Sequence, residues 1–187
     1  MNYLNIDNCS VCNGIGFRIT FWVAGCEHNC KGCQNPESWD FNAGKICTKK
    51  SIYELLDLLS PSYIDGVTLS GGDPLNPKNV IKKNTDDCTI YDIVKEIRKR
   101  FGKSKTIWAY TGYKWEQLLD MSNNNYEYDY VLNNIDVIVD GEYQQSCRDI
   151  TLPFRGSLNQ NIIDVQESLA KQKLIKWRIY NEIKFKQ

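Results

Sequence analysis

The sequence lacks an excess of either charge. Its 187 residues carry 23 Lys and Arg against 23 Asp and Glu, so no net field draws the whole molecule to DNA, RNA or an anionic membrane. It lacks a long apolar run as well: none approaches the roughly 18 residues that would cross a bilayer. Its first residues, Met-Asn-Tyr-Leu-Asn-Ile-Asp, show neither the basic nor the apolar region of a secretory signal. These absences predict a cytoplasmic protein with neither nucleic acid nor membrane as partner. No Gly-Lys-Ser/Thr follows Gly72, which excludes a phosphate loop, and Gly14-x-Gly16 is no dinucleotide fingerprint because Ile19 follows and the glycines precede the strand. Histidine is confined to His28, expected in its loop as a surface or outer-shell residue.

Hydrophobic residues at 42% and charged residues at 25% fit a globular chain, so disordered and fibrous classes drop out. The length predicts one domain over 1–187, its core spanning about 13–180. Eight cysteines stand out. In a reducing compartment, thiols at that density point to a metal or redox site rather than a disulfide frame. Cys9, Cys12, Cys26, Cys30 and Cys33 crowd the first 33 residues, while Cys47, Cys88 and Cys147 have no partner at ligand spacing and read as small apolar residues.

Between the cysteines, β-type runs alternate with helical periodicity. Residues 17–23, 66–70, 106–110 and 135–140 read as strands, with a last strand at 174–180. Ser51 and Glu54 have capping-box spacing ahead of Ile52, Leu55, Leu56 and Leu59. Thr89 caps a second helix with Ile90, Ile93, Val94 and Ile97 inward. A short helix follows near 114–120, and the Asn- and Tyr-rich stretch 122–134 reads as an irregular insertion. Such alternation predicts an α/β fold: a parallel sheet with helices, open or curled into a partial barrel, its ligand crevice beyond the carboxyl ends of the strands. Motifs at 26–33, 70–74, 110–113 and 140–143 each follow a predicted strand, which places them at one site.

Two readings of the early cysteines compete. Cys9-x-x-Cys12 with Cys30-x-x-Cys33 has the spacing of a tetrahedral structural zinc, or of a metal-binding module without turnover. That reading leaves Cys26 unused and assigns nothing to Gly71-Gly72-Asp73-Pro74 or Asp140. Alternatively, Cys26-x-x-x-Cys30-x-x-Cys33 puts three thiolates on one loop after a strand, a set that suits an iron–sulfur cube with one iron open to a non-protein ligand.

Cys26-x-x-x-Cys30-x-x-Cys33 resembles the signature of the radical S-adenosylmethionine superfamily. Asn13-Gly14-Ile15-Gly16-Phe17-Arg18, Gly25 to Asn35, Trp39, Ser70-Gly71-Gly72-Asp73-Pro74, Thr111-Gly112-Tyr113, Asp140-Gly141-x-Tyr143 and Arg155-Gly156-Ser157-x-Asn159-Gln160 are together similar to the small activating enzymes of anaerobic (class III) ribonucleotide reductase. The likeness runs from about residue 8 to 177. Ile15 stands where that family usually has Pro; Gly32 replaces the aromatic common elsewhere in the superfamily but fits this branch; Cys9, Cys12 and the Asn-rich stretch lie outside the family pattern.

The resemblance implies a partial, open βα barrel. It implies a 4Fe–4S cluster on Cys26, Cys30 and Cys33, whose open iron takes S-adenosylmethionine. Reductive cleavage of that cofactor then yields a 5′-deoxyadenosyl radical that abstracts hydrogen from a glycine of the large reductase subunit. Cofactor contacts are expected at Gly32, Cys33, Gln34, Ser70, Gly71, Gly72, Asp73, Thr111 and Asp140: Asp73 on the ammonium, the backbone of residues 32–34 on adenine, Asp140 on ribose or a monovalent cation. The alternative for residues 71–74 is a plain turn, and for Asp140 an Asp-Gly turn. No Ser, His or Glu is expected to be catalytic. Expected partners are the large subunit and a low-potential electron donor such as flavodoxin, in a homodimer or a heterotetramer with the reductase. Activation of another glycyl-radical enzyme, or a small radical synthase, is the alternative within the class.

Overall fold

The computed structural model describes residues 1–177. One seven-stranded sheet runs through them in the order β3-β1-β2-β4-β5-β6-β7. The strands are β1 (Asn2–Ser10), β2 (Arg18–Val23), β3 (Lys45–Ile46), β4 (Gly66–Gly71), β5 (Thr106–Tyr110), β6 (Val137–Asp140) and β7 (Asn161–Asp164). The middle four, β2, β4, β5 and β6, are parallel, while β1 and β7 flank them antiparallel. The chain is therefore α/β with an open sheet, and the parallel expectation holds for its centre only.

The helices fill the crossovers: α1 (Lys49–Leu59) between β3 and β4, α2 (Pro77–Val80) and α3 (Ile90–Phe101) before β5, α4 (Trp115–Asn124) and α5 (Tyr126–Asn134) before β6, and α6 (Val165–Lys171) after β7. Thr48 caps α1, its hydroxyl accepting from the Ser51 N–H, so the capping box lies one turn earlier than the Ser51/Glu54 spacing indicates. Thr89 starts α3 as expected, with the Asp92 carboxylate accepting from its N–H.

The stretch 122–134 is corrected: it is the end of α4 and the whole of α5, not an irregular insertion. Asn125 caps α5 by accepting from the Tyr128 N–H, and Tyr128, Val131 and Leu132 recur at helical spacing and are buried. The expected strand at 174–180 is reduced to a single bridge between Lys176 and Ile163 in its described part, and its remainder lies outside the described residues.

Alternation along the strands sorts side chains between two faces. Ile19, Phe21 and Val23, Val67 and Leu69, Ile107 and Ala109, and Ile138 all join one core with the buried apolar residues of every helix. The opposite face carries Arg18, Thr20, Thr68 and Trp108, with a small cluster of Trp108, Val137, Val139 and Ile162 packed by Ile15, Phe154 and Trp177. Loops cover it.

On that face Arg18 is wholly buried. Its Nε donates to Thr68 Oγ1 at 2.7 Å, and its terminal nitrogens donate to the carbonyls of Ile15, Val67 and Thr106 and to Thr106 Oγ1. The guanidinium also lies 5.3 Å from the Trp108 ring centroid. Burial lowers its pKa to about 10, which leaves it a cation at neutral pH. One side chain thus ties β2, β4, β5 and the 11–17 loop together beneath the site.

Candidate functional site

A cavity of about 420 Å³ opens where the parallel strands end. The loop after β2 contributes Cys26, Cys30, Cys33 and Gln34, the turn after β4 gives Ser70 to Asp73, and the end of β5 gives Tyr110 to Gly112. Beyond β6 come Gly141 and Tyr143, and residues 152–160 close the far side. Of the residues expected from the sequence, all three ligand cysteines, Gln34, Ser70, Gly71, Gly72, Asp73 and Thr111 share this cavity. Gly32 and Asp140 do not line it.

Backbone bonds tie the cysteine loop to the turn after β4. Gly72 N–H donates to Val23 O at 2.7 Å, and Asp73 N–H to Gly25 O at 2.8 Å. A Cβ on Gly72 would strike the carbonyls of Gly25 and Ser38, and one on Gly71 would strike the backbone of Val23. The two glycines therefore serve close backbone approach inside the protein, which the sequence alone had placed at the ligand.

Burial pushes the Cys26 thiol up to about 11, against the N–H groups of His28 and Asn29 that face its sulfur. Cys30 is raised by burial too, opposed by the Tyr143 N–H. Asn35 N–H lies 3.4 Å from Cys33 Sγ. A metal bound by these sulfurs would displace their thiol protons, and the amides would then stabilise the thiolate charge. Among the described residues no three His, Cys, Asp or Glu side chains converge at single-ion spacing. The zinc set is split, since Cys12 lines the cavity and Cys9 does not.

Asp73 is 1% exposed and fully engaged. Oδ1 accepts from the Leu75 N–H, and Oδ2 accepts from Thr111 Oγ1 and the Gly112 N–H, each at 3.0 Å, and meets His28 Nε2 at 2.9 Å. His28 is accordingly no surface residue. The bond to Asp73, helped by Glu142 on the other nitrogen, raises its pKa against the opposing effect of burial. Its position between the ligand cysteines was the available signal.

Asp140 departs from expectation. Its Oδ2 accepts from the Trp115 N–H at the start of α4, and its Oδ1 from the Asn161 N–H and side-chain amide. Ile138 faces the helices, so Asp140, two residues on, does too. Its carboxylate is a buried strut between β6, α4 and β7, away from the cavity in which the contact with ribose or a cation was expected.

The late motif at 155–160, for which the sequence offered no role, braces the cavity. Gln160 Oε1 accepts from the N–H groups of Gly156 and Ser157, while its Nε2 donates to Gly141 O. Asn159 Nδ2 donates to Glu142 O. Arg155 lines the cavity and donates to Gln160 O. Trp39 also lines it, and its indole N–H is buried with no partner among the described residues, a donor left over at the wall.

The sequence matches a family described as a 4Fe-4S single cluster domain over residues 12–163. Among curated relatives, proteins named anaerobic ribonucleoside-triphosphate reductase-activating protein recur. One from Enterobacteria phage T4 is 38% identical over 162 residues, covering 87% of this chain and 93% of its own length. One from Haemophilus influenzae is 40% identical over 164 residues, covering 87% and 97%. One from Escherichia coli K12 is 38% identical over 162 residues, covering 86% and 96%.

Proposed function

The chain belongs to the family of anaerobic ribonucleoside-triphosphate reductase-activating proteins, and from that premise we propose that it generates a glycyl radical on the large subunit of anaerobic ribonucleotide reductase. One observation carries the reading: three thiols from a single loop line one wall of a cavity at the strand ends, facing the turn after β4. Three thiolates leave one iron of a 4Fe–4S cube open to a non-protein ligand. The cavity volume falls in the range of small-molecule sites, large enough for S-adenosylmethionine. When bound, the reduced cluster supplies the electron that cleaves the sulfonium of that cofactor.

The protein's own share is placement. Cys26, Cys30 and Cys33 hold the cluster, with the amides of His28, Asn29, Asn35 and Tyr143 at their sulfurs. Ser70 and the residue 71–73 backbone form the facing wall, and Asp73 fixes that wall by gathering Thr111, Gly112 and His28. Gln34, Thr111 and the Trp39 indole offer the polar groups for the rest of the cofactor. A glycine-bearing loop of the large subunit enters from the open side, and a low-potential donor such as flavodoxin provides the electron. Helix cores on one sheet face with loops over the other are compatible with a partial βα barrel. No helix of the described residues is long and apolar enough to cross a membrane, and a cytoplasmic setting with the reductase fits this activity.

The test is anaerobic reconstitution with iron and sulfide. The expected product holds about four irons per chain, with an electron-spin spectrum that changes when S-adenosylmethionine is added. A glycyl signal should follow only with the chain's own reductase. Cys30→Ala should lose the cluster; if that variant loads and still cleaves the cofactor, the assignment fails.

A further inference from the structure

His28 meets three segments that end at the cavity. Its Nε2 lies 2.9 Å from Asp73 Oδ2, in the turn after β4, and its Nδ1 lies 3.2 Å from Glu142 Oε1, in the loop after β6. Tyr113, after β5, stands edge-on with ring centroids 4.6 Å apart. Gly112 leaves room for the ring: a Cβ there would overlap the imidazole carbons. The histidine itself belongs to the loop after β2, and only 11% of its side chain is exposed. The backbone N–H groups of His28 and of Asn29 face the Cys26 sulfur.

We infer that His28 is a positioning residue whose ring, pinned between Asp73 and Glu142, locks the cysteine loop and so fixes the amides that face the Cys26 sulfur. This rests on the cluster reading above and adds a residue to it. Hydrogen bonds to cluster sulfurs help set reduction potential, so the lock tunes the cluster without touching it. Asp73, already holding three other donors, supplies the rigid end of the lock. Glu142, more than half exposed, supplies the weaker one.

The experiment compares the full chain with His28→Phe, His28→Gln and Glu142→Ala. Amide hydrogen exchange of residues 26–33 is measured on the iron-free proteins, and the midpoint potential on the reconstituted ones. In His28→Phe, loop exchange should rise about tenfold, the loss of a charge-assisted bond, while α1 and α3 stay as protected as before. The potential should become more negative as the N–H donors leave the sulfur. Gln retains a donor at the Nε2 position and should keep exchange within about threefold and restore most of the potential. Glu142→Ala, at an exposed contact that folding does not require, should speed exchange by about threefold.

Unchanged loop exchange in His28→Phe overturns the lock, as does a Gln variant impaired as fully as Phe. Should His28→Phe not fold, Glu142→Ala decides by the same measurement. Because exchange is read on iron-free chains, the lock is judged even where iron uptake fails and the cluster reading falls with it.

Discussion

The two faces of the sheet are built from the same strands by opposite rules. On the helix-covered face, Ile19, Phe21, Val67, Leu69, Ile107 and Ile138 merge into one aliphatic core. On the loop-covered face, residues one step out of phase include Arg18, Thr20, Thr68 and Trp108, and their contacts are directional hydrogen bonds and ring edges. Burial alone holds the first face, and geometry holds the second. The central strands serve both, so a period of two separates what stabilises the fold from what shapes the site.

The widest effect should come from the directional face. Arg18→Ala removes a buried side chain and orphans carbonyls on two strands, an expected loss of about 4 kcal/mol in denaturant unfolding. A loss under about 1 kcal/mol would erase the distinction. Leu55→Ala, wholly buried on the helix side, should cost about 3 kcal/mol through its cavity. It should leave iron uptake per folded chain unchanged, whereas Arg18→Ala should lower it, since Arg18 supports the loop that bears Cys12 and Asn13. Asp140→Asn sharpens the boundary further. An amide cannot accept from Trp115 and Asn161 on all sides, so about 1 kcal/mol should go. Affinity for S-adenosylmethionine should stay as in the parent; a large fall would return Asp140 to the cavity.

Much of this was legible. The strands at 17–23, 66–70 and 106–110 announce themselves because both faces are buried and the runs are apolar or β-branched. The convergence of the 26–33, 70–74 and 110–113 motifs follows from strand direction alone. β1 was hidden because Asn2–Ser10 buries little beyond Tyr3 and reads as a polar leader. β7 was hidden by its length of four residues. The helix α5 was masked by Asn and Tyr, poor helix formers held there by the buried Tyr128, Val131 and Leu132. Asp140 misled for a subtler reason: its place at a strand end was right, but its parity was not, since the alternation that begins at Val137 turns it to the helices. His28 was undervalued because its partners, Asp73 and Glu142, are 45 and 114 residues away.

The backbone clasp joins Gly72 to Val23 and Asp73 to Gly25. These two main-chain bonds, with the His28–Asp73 contact beside them, hold the cysteine loop against the turn after β4. The opposite wall, residues 143–160, is held by a short helical turn, one isolated bridge and the side-chain amides of Asn159 and Gln160 on Glu142 and Gly141. The two walls of the cavity are thus fastened by different means, main-chain bonds and one imidazole on the cysteine side and side-chain amides on the other.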